Sequence, residues 1–343
     1  MGLQRYIARR AVYTIIILFV IISFNFVLFQ VLPFQVSCPG ESYTQCAQLL
    51  YVPPAPARAG NTTALIEHER AEVMAAYGFD KPLWTRFGLY VINMFSGQYG
   101  FNIGGAIGGP VIQTIQQRTP YTVLLIGAST VAAYIIGIGV GVISAARRGK
   151  ILDVTSLSLL LFINALPVFF LGGILIVLQI LTTGVGYHNV GSLIVAKTGW
   201  AVAAPVLQAL WLPFVTLTLA GVGGVYLTMR ATMIDTLSED YVVMARARGV
   251  DERTVLYRHA FRNAILPLVT LFALSIGFIL AGAIITETVF DWPGLGIATY
   301  IGVVSNDFPL EQAIFFIISV MVLLANFIVD IAYGFLDPRI RAG

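Results

Sequence analysis

Six apolar runs, each long enough to cross a bilayer, constrain this chain more than any other feature: residues 11–32, Tyr121–Ile143, Val154–Leu181, Pro205–Met229, Pro267–Val289 and Leu310–Gly334. The first, AVYTIIILFVIISFNFVLFQVL, measures about 33 Å as a helix, against a hydrocarbon core of about 30 Å. Backbone in hydrocarbon must satisfy its own hydrogen bonds, and runs of this length do so as helices. The expected fold class is therefore all-α, a polytopic membrane protein with six transmembrane helices. Composition agrees: 11% of residues are charged, against roughly 25% in a soluble domain. Arg5, Arg9 and Arg10 precede the first run, which is longer than the roughly 7–15 apolar residues of a signal-peptide core. It reads as an uncleaved anchor.

The runs divide the chain into residues 1–32 (a short N-terminus and the first span), 33–119 (a polar region) and 120–343 (five spans with one long polar loop, 237–263). No polar segment is longer than 33–119, so no large catalytic domain fits. Placing the N-terminus, the 146–153 link, the 230–263 stretch and the C-terminus on one side collects 14 of the 20 Lys and Arg there. The positive-inside rule makes that side cytoplasmic, with both termini in the cytoplasm and residues 33–119 outside. The only two cysteines, Cys38 and Cys46, then face the oxidising side. A disulfide closing so short a loop would contribute roughly 2–3 kcal/mol; two free thiols are the other reading. Pro167 and Pro213 sit inside the third and fourth runs and are expected to bend them. Gly137 with Gly141, and Gly221 with Gly224, are expected to let helices approach closely.

The longest water-soluble island in the core is LSEDYVVMARARGVDERTVLYRHAFRNAILP, Leu237–Pro267. Its chemistry specifies two short helices: Ser238 as the first cap, Glu239 and Asp240 in the first turn, Arg246 and Arg248 in the last, and Gly249 as a left-handed stop. Asp251 is placed to cap the second helix, which runs toward Pro267. Val242, Ala245 and Gly249 share a small, smooth face suited to docking in a groove.

Chemistry of the chain's own is missing. None of Lys81, Lys150 and Lys197 stands in a phosphate-cradling GxxxxGK[ST] frame, so ATP hydrolysis is not expected here. An ion-driven carrier places charged groups near mid-membrane, whereas Glu287, Glu311 and Asp330 lie within about two turns of the expected span ends. The run beginning at His68 and Glu69 has Glu72 where a zinc site needs its second histidine. A DNA-reading helix-turn-helix is disfavoured in the 237–263 loop by its interleaved acids, Glu239, Asp240, Asp251 and Glu252. A transport subunit powered from outside remains, with an ion-driven carrier, a channel or a structural scaffold as competing classes.

DYVVMARARG (240–249), RHAFRNAILP (258–267), ETVFDWPGLG (287–296), NDFPLEQ (306–312) and NFIVDIAYGFLDPRIR (326–341) closely resemble the permease subunits of binding-protein-dependent ABC importers of the dipeptide/oligopeptide/nickel class. The match is to the first of the two paralogous permeases. Echoes continue in YGFDKPLWTRF (77–87), SGQYGFNI (96–103), AARRGK (145–150) and LPVFFLG (166–172). The resemblance implies a type I ABC importer permease fold in a prokaryotic cell membrane. It also implies a second permease, two ATPase subunits that bind ATP and magnesium, and an external substrate-binding protein as partners; no cofactor is expected in this chain. Residues Tyr241–Pro267 would be the family's EAA-type loop, with Asp240, Tyr241, Ala245, Arg246, Arg248, Gly249 and Arg253 at the ATPase contact. Val243-Met244 stands where the motif has Glu-Ala. Residues 37–76 look like an insertion. Peptides are the implied substrates, with nickel and oligosaccharides as alternatives.

Overall fold

A computed structural model describes residues 3–37, 43–52, 71, 73–104, 109–187, 203–277, 279 and 283–336. The order is α1 (Leu3–Gln30), α2 (Leu32–Ser37), α3 (Tyr43–Tyr51), α4 (Leu83–Ser96), α5 (Val111–Ala146), α6 (Ile151–Ala165), α7 (Val168–Thr183) and α8 (Ala203–Leu237), then α9 (Asp240–Ala247), α10 (Glu252–Ala264), α11 (Leu266–Gly277), α12 (Ile284–Val289), α13 (Leu295–Ser305) and α14 (Phe308–Leu336). Among the described residues, four helices are long and apolar enough to cross a membrane, and six spans result if each of two bent pairs is one. The architecture is all-α and multi-pass, as the six apolar runs require.

The chain forms two compact units. The first joins residues 1–121 to 294–343. Here α1 and α14 lie antiparallel: Arg10 pairs with Asp330 at 3.0 Å near one end, while near the other Asn25 Nδ2 donates to the Gln312 carbonyl at 3.1 Å and Gln30 Nε2 to Gln312 Oε1 at 3.2 Å. Gln312 Nε2 in turn donates to the Tyr77 hydroxyl (2.9 Å), which donates to the Tyr99 carbonyl (2.7 Å). Buried Arg86 donates to the Gln30 carbonyl at 2.9 Å, with its guanidinium 5.4 Å from the Phe34 ring centre and 5.1 Å from that of Phe79. Phe34, Cys46, Ala47, Tyr51, Val73, Tyr77 and Phe79 close one aromatic cluster, and the Tyr51 hydroxyl donates to the Phe29 carbonyl at 2.5 Å. The described residues of 37–76, which the resemblance reads as an insertion, are thus keyed into this unit's core. Within 64–77, positions 71 and 73–77 are helical and the others lie outside the described residues.

Asp307 starts α14. Its carboxylate accepts from the backbone of Leu310 (3.2 Å), Ile103 (2.9 Å) and Gly104 (3.0 Å). Burial raises its proton affinity, and those three donors oppose the shift. Gly302 lets α13 meet α14: a Cβ there would sit 2.3 Å from Glu311 Oε1.

The second unit, residues 122–293, is built around α8. The glycine pair expected to pack does so, since a Cβ on Gly137 would fall 2.8 Å from Val225 and one on Gly141 2.7 Å from the Met229 Cβ. Gly221 meets Ala133, but Gly224 has open space beside it and corrects the expectation that both serve close packing. Pro167 turns the chain by 105° between α6 and α7, because α6 ends in extended backbone at Leu166. Pro213 lies inside α8, which continues through it. The fifth run is corrected as well. Among its described residues it is not one α-helix over 267–289: α10 and α11 meet at a bend of 48°, and Ala283 (φ −112°, ψ 69°) stands outside any helix before α12 starts at Ile284. Glu287 on α12 is fully buried, and the Thr122 hydroxyl donates to it at 3.0 Å.

Candidate functional site

The 237–263 stretch folds as two short helices around a turn. The first, α9, starts one residue later than expected: Glu239 occupies the cap position without a side-chain bond, and Ser238 donates instead to the Asp235 carbonyl at 2.7 Å. That corrects the reading of Ser238 as the cap. A serine at the end of a long helix satisfies the open carbonyls behind it before it reaches the amides ahead. Gly249 ends the helix with φ +78°, the left-handed stop that a residue without a Cβ takes at no steric cost. Asp251 caps α10 by accepting from the Arg253 amide at 3.1 Å. Across the turn Arg246 forms a two-point pair with Glu252 at 2.7 and 3.2 Å. The Tyr241 hydroxyl accepts from Asn263 at 2.8 Å and donates to the His259 carbonyl at 3.4 Å. Residues Val255–Ala260 widen into a π-helical turn.

The small face expected to dock is not available for docking. Val242 and Ala245 are buried in this unit's own core with Val142, Ala145, Met229, Met233, Val255, Ala260, Ala264 and Leu268. Helical periodicity defines faces but does not say which one faces home, and here the smaller residues let α9 approach α8. The outward face carries Tyr241, Val243 and Met244, which are 41%, 51% and 58% exposed, flanked by exposed Asp240, Ala247, Arg248, Gly249 and Arg253. Val243 and Met244 thus put hydrocarbon outward where the motif has Glu-Ala. Among the site residues read from sequence, Arg246 is engaged within the chain and Ala245 is interior, while Asp240, Tyr241, Arg248, Gly249 and Arg253 share the exposed surface.

Beside this loop is a buried ion pair that the sequence reading missed. The Asp153 carboxylate, 3% exposed, receives Arg230 Nε at 2.7 Å, Arg230 Nη2 at 2.8 Å, the Gly149 amide at 2.9 Å and the Ser144 hydroxyl. The Tyr226 hydroxyl extends the network, 2.8 Å from Ser144 Oγ and 3.2 Å from Ser156 Oγ. Asp153 and Arg230 entered the sequence reading only as parts of polar links. The available signal was an acid in the first turn of an apolar helix, next to a run of cations.

A cavity of about 630 Å³ opens on the same unit between α5, α8 and α11. Its polar groups are the neutral ones of Ser129, Thr130, Tyr134, Thr228 and Ser275, with Tyr134 and Ser275 hydroxyls 3.2 Å apart. Gly224 faces it. Among the described residues, no group of three or more His, Cys, Asp or Glu is placed to hold a metal ion. Cys46 is buried and is not a free thiol; Cys38, its expected partner, lies outside the described residues, as do His68 and Lys197.

Sequence comparison bears on the same segments. Residues 137–342, from the middle of α5 through all of the loop elements, match the family described as binding-protein-dependent transport system inner membrane component. The chain is 32% identical to the oligopeptide transport system permease protein AppB of Bacillus subtilis (strain 168), over 98% of this chain and 99% of that protein. It is 33% identical to the dipeptide transport system permease protein DppB of Escherichia coli (strain K12), covering 79% and 85%. With the glutathione transport system permease protein GsiC of the same strain it shares 35% identity, over 77% and 81%. These matches, joined to an all-α membrane fold, place the chain in the family of binding-protein-dependent ABC transporter inner-membrane permeases, within the dipeptide/oligopeptide class.

Proposed function

We propose that this chain is half of the membrane pathway of an ATP-driven importer of short peptides. The observation that carries the reading is the outward apolar face of α9, Tyr241, Val243 and Met244, held on a rigid base and exposed in the isolated chain. Hydrocarbon displayed on a polar, arginine-rich loop marks a surface meant to be covered, and a short helix presenting it fits a groove on an ATPase subunit. In this reading α9 is the coupling helix. Tyr241, Arg248, Gly249 and Arg253 meet the ATPase with Asp240 at the rim, while Ala245 and the Arg246–Glu252 pair position the helix. ATP and magnesium bind in the ATPase subunits, a second permease completes the pathway, and an external binding protein delivers substrate. The charge distribution supports cytoplasmic termini and a cytoplasmic loop, which puts residues 33–119 outside and favours a Cys38–Cys46 bridge there.

The substrate class rests on the relatives, named for oligopeptide, dipeptide and glutathione transport. The neutral hydroxyl lining of the α5/α8/α11 cavity suits ligands read through amide groups; it offers no ligand set for a bare nickel ion. The test is reconstitution in vesicles with the partner permease, both ATPase subunits and the binding protein. Uptake of labelled di- to pentapeptides that requires ATP and both ATPase subunits supports the reading. Uptake driven by an ion gradient without ATPase subunits overturns it in favour of a carrier.

A further inference from the structure

Asp153 and Arg230 lie one helical face away from the loop's core. On α8, Arg230 sits between Met229 and Met233, both fully buried against Val242 and Ala245. On α5, Ser144 sits beside Ala145, another member of that cluster. The last turns of two helices therefore show one face to the loop and another to a single carboxylate. That carboxylate has four donors from three places: Ser144 on α5, the Gly149 amide in the turn, and two from Arg230 on α8. With its lone pairs taken by fixed donors, two of them a forked guanidinium, it has no second arrangement that keeps its charged bonds. Tyr226, linked to both Ser144 and Ser156, extends the hold into the second turn of α6. A buried ion pair adds little stability that well-packed apolar side chains would not supply; what it fixes here is the relative placement of three helix ends.

We propose that Asp153 and Arg230 are a positioning pair for transport, locking the start of α6 to the ends of α5 and α8 so that displacement of the 237–263 loop is delivered to the bent α6–α7 pair. This rests on the importer reading above. Neither residue touches substrate or nucleotide; the pair acts through the helices it joins.

The test uses the complete transporter with its binding protein in vesicles, and reads labelled di- to pentapeptides moved per ATP hydrolysed, per assembled complex. Wild type lacking ATP-dependent uptake would overturn the importer reading itself, independently of the pair. With wild type active, Asp153→Asn and Arg230→Lys are expected to lower the ratio about five- to thirty-fold while ATP hydrolysis continues. The double variant Asp153→Asn/Arg230→Gln removes both charges, so it relieves the unpaired one; it is expected to assemble yet keep the low ratio. A double variant with the wild-type ratio overturns the proposal, as does a loss of uptake that only tracks the assembled fraction. Should the double variant fail to assemble, Ser144→Ala decides by the same ratio: about a two-fold fall supports the pair's role, and an unchanged ratio overturns it.

Discussion

The aromatic cluster of the first unit and the 237–263 loop of the second both rely on tyrosines and arginines, yet they use them in opposite ways. In the first, Arg86 and Tyr77 are buried and their bonds run inward, to Gln30, Gln312 and Tyr99. In the second, Arg246 and Tyr241 are exposed and their bonds brace a helix that turns Val243 and Met244 away from the chain. The comparison teaches where completion comes from. A region whose apolar groups are covered is packed within the chain; one that braces exposed hydrocarbon leaves a surface to be covered.

Substitutions can break that contrast, and their expected effects fall in order. The largest is for Val243→Glu combined with Met244→Glu, which puts charge where the ATPase would bury hydrocarbon. Loss of interface anchors costs about 2–4 kcal/mol, or roughly 30- to 1,000-fold in Kd. Titration of purified ATPase subunits onto the permease pair should show it, with thermal stability of the permease unchanged; a parallel fall in stability would mean the face is interior after all. Next is Arg86→Ala, which opens a hole between two rings and strands the Gln30 carbonyl. It should lower unfolding free energy by about 2–3 kcal/mol in denaturant titrations, and leave ATPase affinity in the surviving protein intact.

Gly249→Leu comes third. The space around Gly249 is open, so overpacking within the chain does not contribute, and the cost is the left-handed backbone alone, about 1–2 kcal/mol. Faster proteolysis within 237–263 would report it, with Gly249→Asn intermediate because asparagine tolerates that conformation. The smallest is Arg246→Ala. Its pair with Glu252 is exposed at 40% and 67%, so the loss is about 0.2–1 kcal/mol and shrinks in high salt. A drop in uptake as large as that of the Val243/Met244 variant would place Arg246 in the ATPase contact itself.

Features set by a few neighbouring residues were legible in the sequence. The apolar runs, the Gly249 stop, the Asp251 cap and the Gly137/Gly141 approach each follow from one local rule. Features that depend on what lies opposite were not. The face of Val242 and Ala245 looked free because Met229 and Met233 belong to a different helix, α8. The Asp153–Arg230 pair spans 77 positions, and nothing at either end names the other. The non-helical backbone at Ala283 escaped because every residue of 267–289 suits a membrane helix, apart from Glu287, whose burial required a partner on Thr122. Ser238 is a near miss of another kind, since its hydroxyl had two sets of backbone groups within reach and took the other one.

α8 runs unbroken from Ala203 to Leu237, 35 residues or about 52 Å. Along that one rod lie Gly221, Gly224 and Thr228 at the cavity, Arg230 at the carboxylate, and Met229 and Met233 under the loop. A rod has no joint in which a stroke can be lost or delayed. If α9 is displaced as the importer reading proposes, loop and cavity share one clock: the rate that governs the displacement of α9 also governs the reshaping of the cavity wall, and both changes should be seen in a single kinetic phase.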